Sequence, residues 1–205
     1  AANSYEYIEK EGLSTKIKAT EIMSNCLNEL IQINETNEDD IYQSGLIGVD
    51  SSSITTIFES DSKKIKDSKI ACTHPNFASA IVEIFYELDI KKGDVIAVSM
   101  TGSFPGANIA LLSACKAMNI KPIITSSAGS SAWGANRPEF SWPAIESFLY
   151  KKKLIDYKSV AYSIGGGNDV GDNLQYEGNL LISDLIFNLV DNQIEFVNEP
   201  TLQDN

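Results

Sequence analysis

The chain predicts an α/β fold: a mostly parallel sheet with helices on both faces, Rossmann-like, preceded by an N-terminal amphipathic helix. Three observations lead there. Residues 95–100, 123–126 and 159–164 are short runs built almost wholly of apolar and small hydroxyl side chains, as expected of parallel strands covered on both faces. A stretch with helical periodicity follows each of them. Polar segments rich in glycine and serine stand at the strand-to-helix junctions, at 101–106, 126–136 and 165–169.

The elements follow in order. Residues 14–33 read as an amphipathic helix, because Ile17, Ile22, Met23, Cys26, Leu27, Leu30 and Ile31 recur at three- and four-residue steps. Residues 34–40 are polar and acidic, a loop, so the chain divides into a helical segment at 1–40 and an α/β domain at 41–205. Gly45 to Asp50 is an apolar run ending in three serines, expected to be a strand or extended segment. Pro75 stands in the first turn of a helix through Phe77, Ile81, Ile84 and Leu88, where its missing N–H does no harm. Gly93-Asp94 turns the chain into the first regular strand. Phe104-Pro105 opens a helix through Ile109, Leu112 and Ala117, and Lys121-Pro122 leads into the next strand. A long loop, 127–139, precedes a helix that starts at Ser141-Trp142-Pro143 and runs to Leu149. The third strand enters Gly165-Gly166-Gly167-Asn168-Asp169. A last helix covers 176–190, and the tail from Glu195 holds an edge strand.

Composition narrows the function classes. Lys and Arg number 16 and Asp and Glu 28, a formal net charge of −12. Non-specific nucleic-acid binding needs a basic surface to release counterions, so nucleic acid is not the expected partner. An anionic membrane surface also repels such a chain. The basic runs Lys63-Lys64-Ile65-Lys66 and Lys151-Lys152-Lys153 read as solvated surface. Cys26, Cys72 and Cys115 have no CxxC spacing, and the single histidine, His74, cannot build HExxH; no metal is expected. Neither GxxxxGK[ST] nor GxGxxG occurs, and no cofactor is expected. No run reaches the ~18 continuous apolar residues of a membrane span. Any membrane attachment is therefore expected through a segment ahead of Ala1.

In open α/β sheets, ligands bind beyond the carboxyl ends of the strands. That rule puts forward Gly102, Ser126, Ser127, Ser130, Ser131, Asn136, Arg137, Gly165, Gly166, Gly167 and Asn168 as ligand-binding residues. Hydroxyls, backbone N–H groups and helix N-termini bind carboxylates or phosphates without lysine. Arg137, the only arginine, offers a bidentate fork. Tight turns, helix capping by Ser103 and plain glycine punctuation are alternative readings of the same positions. For catalysis, Ser103 is the candidate nucleophile, with His74 and Asp169 (or Asp50) in acid–base roles. Thr101-Gly102-Ser103-Phe104-Pro105 does not match GxSxG, and His74 also reads as a helix-start residue. Right-handed crossovers bring the carboxyl ends of parallel strands to one edge. Ser103, Ser127, Ser130, Gly166 and Asn168 are therefore expected around one concave pocket.

The same junctions carry a family resemblance. Thr101-Gly102-Ser103-Phe104-Pro105, then Ser126-Ser127-Ala128-Gly129-Ser130-Ser131-Ala132-Trp133-Gly134-Ala135-Asn136, then Ser163-Ile164-Gly165-Gly166-Gly167-Asn168-Asp169, resemble the poly-γ-glutamate system protein family. Thr73-His74-Pro75-Asn76-Phe77 and residues 50–56 fit it too, and the similarity spans 47–190. The resemblance implies an accessory protein of bacterial poly-γ-glutamate synthesis or export. Its partners would be the polymer or the synthesis and export proteins. Its place would be the cell envelope, membrane-anchored and extracytoplasmic, with the cytoplasm as the alternative. It carries over no catalytic residues. The expected function is binding of an anionic γ-glutamyl or carboxylate ligand by the strand-end loops. The alternative is a hydrolase or transferase on such a substrate, using a loop serine with Asp or His.

Overall fold

The computed structural model describes residues 12–34, 44–56, 62–190, 194–201 and 203–204 of the 205. Among them are α1 (Leu13–Asn34), α2 (Ser62–Thr73), α3 (Asn76–Glu87), β1 (Val95–Thr101), α4 (Pro105–Met118) and β2 (Lys121–Ser127). A 3-10 turn (Pro138–Phe140), α5 (Trp142–Lys151), β3 (Ala161–Ser163), α6 (Tyr176–Leu189) and β4 (Glu195–Val197) complete the order. The architecture is α/β, with one four-stranded, all-parallel sheet.

The strand order is consecutive, β1-β2-β3-β4. Right-handed crossovers that always step in the same direction place their helices on the same face. Burial along the strands agrees. Met100, Pro122, Ile124, Ser126 and Tyr162 are buried on one face, with Ile96, Val98 and Phe196 half-buried beside them. The opposite face carries Val95 at 59% exposure and Ile123 at 53%, with Ala97, Ser99, Lys121, Thr125 and Glu195 also exposed. Among the described residues the core thus lies against one face of the sheet, and the strand-end part of the other face is open. Consecutive order also means that the chain never reverses its travel across the sheet, so no switch-point crevice forms between neighbouring strand ends.

Local chemistry sets the element boundaries. Pro105 occupies the first turn of α4, where no N–H is needed. Helices α3, α4 and α5 end alike, on Asp89, Asn119 and Lys153 with φ of 56°, 58° and 60°. The apolar residue that follows each one donates its N–H five residues back: Ile90 to Phe85, Ile120 to Cys115 and Leu154 to Leu149. This is the six-to-one closure that satisfies the last helical carbonyls.

The larger core joins α1, α3, α4, α5 and the covered faces of β1 and β2. Met23, Leu27 and Leu30 of α1 are buried in it, each worth about 1.5–3 kcal/mol of burial. The helical segment thus packs into the same core as the sheet, and Lys16 adds an ion pair to Glu83 of α3. Cys26 and Cys115 lie in this core, and all three cysteines are free thiols. A smaller core joins Tyr162 and Ile164 to Ile182 and Ile186 of α6.

Two elements differ from expectation. Gly45 to Asp50 is a turn, not a strand. Leu46 and Ile47 take left-handed φ values of 75° and 65°, and Gly48 N–H closes on Ser44 O at 2.9 Å. The backbone must turn there because it lies directly on the 133–134 backbone: a Cβ on Gly48 would sit 2.4 Å from Gly134 O. The other difference is α2, a charged helix with little apolar periodicity to announce it. Of the polar loop expected at 34–40, all beyond Asn34 lies outside the described residues, as do the side chains of Lys63, Lys64 and Ile65.

Candidate functional site

The strand-end loops do emerge together, and they are stitched to one another. Gly102 N–H bonds to Ser127 O at 3.0 Å, Ala128 N–H to Ser163 O at 3.1 Å and Gly129 N–H to Ile164 O at 2.7 Å, which extends the ladder past the strands. Ala135 N–H then folds the long loop back onto Gly102 O at 2.8 Å. Gly134 permits that closure: a Cβ there would stand 2.3 Å from Ser130 Oγ and 2.7 Å from the carbonyl oxygens of Gly102 and Ser103. Thr56 N–H joins from the preceding segment, bonding to Ser130 O at 2.8 Å.

Most polar groups put forward for ligand binding are consumed in this stitching. Ser130 is fully buried and donates to Gly102 O at 2.9 Å. Asn136, also fully buried, accepts from Val49 N–H at 2.9 Å and donates to Val49 O at 2.7 Å and Thr55 Oγ1 at 2.9 Å. Arg137 pairs with Glu139 at 2.6 Å. Gly165 and Gly166, at φ 83° and 80°, form the left-handed turn of a closed loop in which Gly171 N–H returns to Gly165 O and Gly167 N–H to Asp172 O. Asn168, exposed, donates to Asp172.

The catalytic candidates are not brought together. Ser103 makes no cap bond to α4; its Oγ accepts Ser131 N–H at 3.1 Å and lies 3.4 Å from Thr101 Oγ1. His74 is exposed, and its Nδ1 accepts Asn76 N–H at 3.2 Å, so it serves the start of α3. Asp169 is across the sheet ends with Ser163, whose Oγ donates to Asp169 Oδ1 at 2.8 Å.

A concave site lies beside these loops, on the open face of the sheet. It is a cleft of about 490 Å³ at the carboxyl ends of β1, β2 and β3. Ser99 and Thr101, Thr125 and Ser127, and Ser163 line it in register, and Asp169 stands at its end. Among the described residues, no lysine or arginine lines it. Of the five residues expected around one pocket, Ser127 lines this cleft, while Ser103, Ser130, Gly166 and Asn168 stand in the stitched loops. Consecutive strand order accounts for the difference: the loops close on one another, and the unoccupied space lies over the uncovered sheet face.

A buried polar network supports the cleft floor from the helical side. Glu146 of α5 is fully buried. Its carboxylate accepts Ser159 N–H at 2.9 Å, Ser159 Oγ at 3.0 Å and the Tyr162 hydroxyl. Ser159 Oγ lies 2.6 Å from Ser126 Oγ, which accepts Trp142 Nε1–H at 3.1 Å. Ser126, put forward as a ligand-binding residue, is thus a structural link between β2 and α5. Burial raises the Glu146 carboxyl above its ordinary value despite these donors.

One group of chemical interest was not singled out from the sequence. Lys69 of α2 is 1% exposed, and its Nζ donates to Ser131 Oγ at 2.7 Å. Burial lowers its pKa from 10.5 to about 8. Its neighbour Lys66, read as solvated surface, rests 4.1 Å above the Trp133 ring. A lysine in a helix with weak periodicity gives no sequence signal of burial.

Among the described residues, no cluster of three His, Cys, Asp or Glu side chains could hold a metal ion. No described helix is long and apolar enough to cross a membrane. Comparisons with protein-family models, curated proteins and solved structures find no match to this chain.

Proposed function

We propose that this protein is a binding component of a bacterial poly-γ-glutamate synthesis or export system, and that its cleft holds a stretch of γ-glutamyl chain at the cell envelope. The observation that carries this reading is the row of hydroxyls on the open sheet face, from Ser99 and Thr101 through Thr125 and Ser127 to Ser163. Hydroxyls both donate and accept, which suits a chain of alternating amide and carboxylate groups. Asp169, which also lines the cleft, would supply a carboxylate acceptor for an amide N–H. The resemblance of the junction sequences to the poly-γ-glutamate system protein family supports the choice of polymer.

Charge gives this reading a distinctive test. A chain of net charge −12 meeting a polyanion at a cleft without cationic side chains is opposed by repulsion, and salt screens repulsion. Titration calorimetry with oligo-γ-glutamate is expected to show saturable binding that tightens between low and moderate salt. Thr125→Val, which deletes a hydroxyl at nearly constant volume, is expected to weaken it about fivefold, in line with one lost hydrogen bond of about 1 kcal/mol. Absence of saturable binding at millimolar ligand across that salt range would refute the proposal.

A further inference from the structure

We propose that Ser131 is a nucleophile for acyl transfer and that Lys69 is its general base. This site lies on the helix-covered side of the strand-end loops and is separate from the cleft.

The first support is the environment of Lys69. Its ammonium position is withdrawn from water, at 1% exposure. Its contacts are Ser131 Oγ at 2.7 Å, Ser131 O at 3.4 Å and the Phe104 ring at 5.1 Å. No carboxylate of the described residues is among them, and burial is the cause of the lowered pKa of about 8. A buried amine without a counter-charge sheds its proton near neutral pH, the condition that makes a lysine a base. Other charged and titratable groups stand on the same helix. Lys66, one turn back, is turned onto the Trp133 ring, Asp67 is also on this helix, and Cys72, one turn on, keeps its thiol protonated by burial. The loop residues against Lys69, at Gly45, Phe104 and Ser131, bring no charge.

The second support is the backbone around Ser131. Its N–H is held by Ser103 Oγ at 3.1 Å, and its carbonyl accepts Gly134 N–H at 3.2 Å. Ser131 itself stays half-buried, open to a reactant. Two residues on, Trp133 has a φ of 63°, which a bulky aromatic rarely adopts. Its N–H bond to Val49 O at 2.8 Å and the Lys66 ammonium over its ring hold it there. Unfavourable backbone maintained by its surroundings gathers at working loops. In acyl-transfer sites, the N–H of the residue after the nucleophile is a regular oxyanion donor; here that residue is Ala132.

The substrate class is an ester or amide with an accessible acyl carbon. Ser131 Oγ forms a bond to that carbon while its proton passes to the neutral Lys69 Nζ. The alkoxide or amine leaves and takes the proton from Lys69, giving an acyl-enzyme. Water attacks the acyl carbon in the second half, its proton again taken by Lys69 and returned to Ser131 Oγ as the carboxylic acid departs.

An alkyl fluorophosphonate tests the pair directly, since Oγ–P bond formation expels fluoride and leaves a stable adduct. Incubation of the full chain followed by peptide mass spectrometry is expected to place the adduct on Ser131. Its rate is expected to rise through a midpoint near pH 8, following Lys69. Lys69→Met and Lys69→Arg, the latter unable to lose its proton, are each expected to slow labelling by at least about 100-fold. Ser183→Ala, on α6, is expected to keep it. Circular dichroism and thermal melts check that every variant is folded. An unlabelled Ser131, or labelling that persists in folded Lys69→Met or Lys69→Arg, would overturn the assignment.

Discussion

Replacing Lys69 by methionine is expected to stabilise the folded protein at pH 7. The ammonium is withdrawn from water with one hydroxyl at 2.7 Å, one carbonyl at 3.4 Å and, among the described residues, no carboxylate to receive it. Its proton affinity falls from an ordinary 10.5 to about 8 on folding, and each tenfold change corresponds to 1.36 kcal/mol, so the charged form costs roughly 3 kcal/mol. Methionine keeps the aliphatic stem and drops the charge, while one hydrogen bond of about 1 kcal/mol is lost. The net gain is about 2 kcal/mol at pH 7, or roughly 4–8 °C in Tm for a chain of this size. The pH dependence fixes the cause. Between about pH 8 and 10.5 the unfolded chain carries a proton at Lys69 that the folded chain has shed, so this term makes stability rise with pH across that window. Cys26 and Cys115 act oppositely: burial pushes both thiols from 9.0 to about 12, so stability falls above pH 9 as the unfolded thiols ionise. Subtracting wild type from Lys69→Met at each pH cancels the thiols. Urea unfolding followed by tryptophan fluorescence should therefore show a difference that is greatest at or below pH 8, falls by about 3 kcal/mol by pH 10.5 and reverses there to about 1 kcal/mol against the variant, the lost hydrogen bond alone remaining. A pH-independent difference, or a less stable variant at pH 7, would refute the reasoning.

Glu146→Ala leaves Ser159 N–H, Ser159 Oγ and the Tyr162 hydroxyl without their buried acceptor, and is expected to cost about 3–5 kcal/mol, read as a lower urea midpoint. The folded chain keeps the Glu146 proton above the ordinary 4.5, where the unfolded chain loses it. Stability is thus expected to fall as pH climbs from 4.5 toward the raised folded value, and Glu146→Gln should abolish that slope. Gly134→Ala drives a methyl into Ser130 Oγ and two carbonyls, with an expected loss of about 1–3 kcal/mol. Hydrogen exchange should then quicken at residues 101–104 and 130–135 together, because one closure holds both. Ser127→Ala is expected to weaken oligo-γ-glutamate binding about fivefold with Tm unchanged, since calorimetry reads the cleft and the melt reads the core.

The regular βα alternation was legible because periodicity reports burial. Val98, Met100, Ile109, Leu112 and Ile124 fall on the faces that pack together, and Pro105 and Asn119 mark the bounds of α4. The same logic failed for α2, whose Lys66 and Lys69 hide their surroundings: a buried and a solvated lysine look alike in a sequence. It failed for Leu46 and Ile47, where a tertiary contact with residues 133–134 forces left-handed backbone on residues that prefer strands. The apolar character of Val95 and Ile123 implied cover that the described helices do not provide. The site suffered most from a topological gap. Parallel strands were read correctly, but their order is not written in local pattern, and the order decides whether strand-end loops splay around a ligand or close on one another.

The serine-rich run after β2 shows how one composition serves several ends. Strand geometry points alternate side chains to opposite faces, so Ser126 turns inward to Trp142 and Ser159 while Ser127 faces the open cleft. Past the strand the alternation ends and local turns take over. Ser130 then points its hydroxyl at Gly102 O, and Ser131 meets Lys69 from the helical side. A hydroxyl is small enough to fit each setting and can donate or accept in all of them. The neutral, hydroxyl-rich character that first suggested a shared anion site thus arises from four separate demands, and only the side chains left facing space, Ser127 on one side and Ser131 on the other, retain chemistry to offer a ligand.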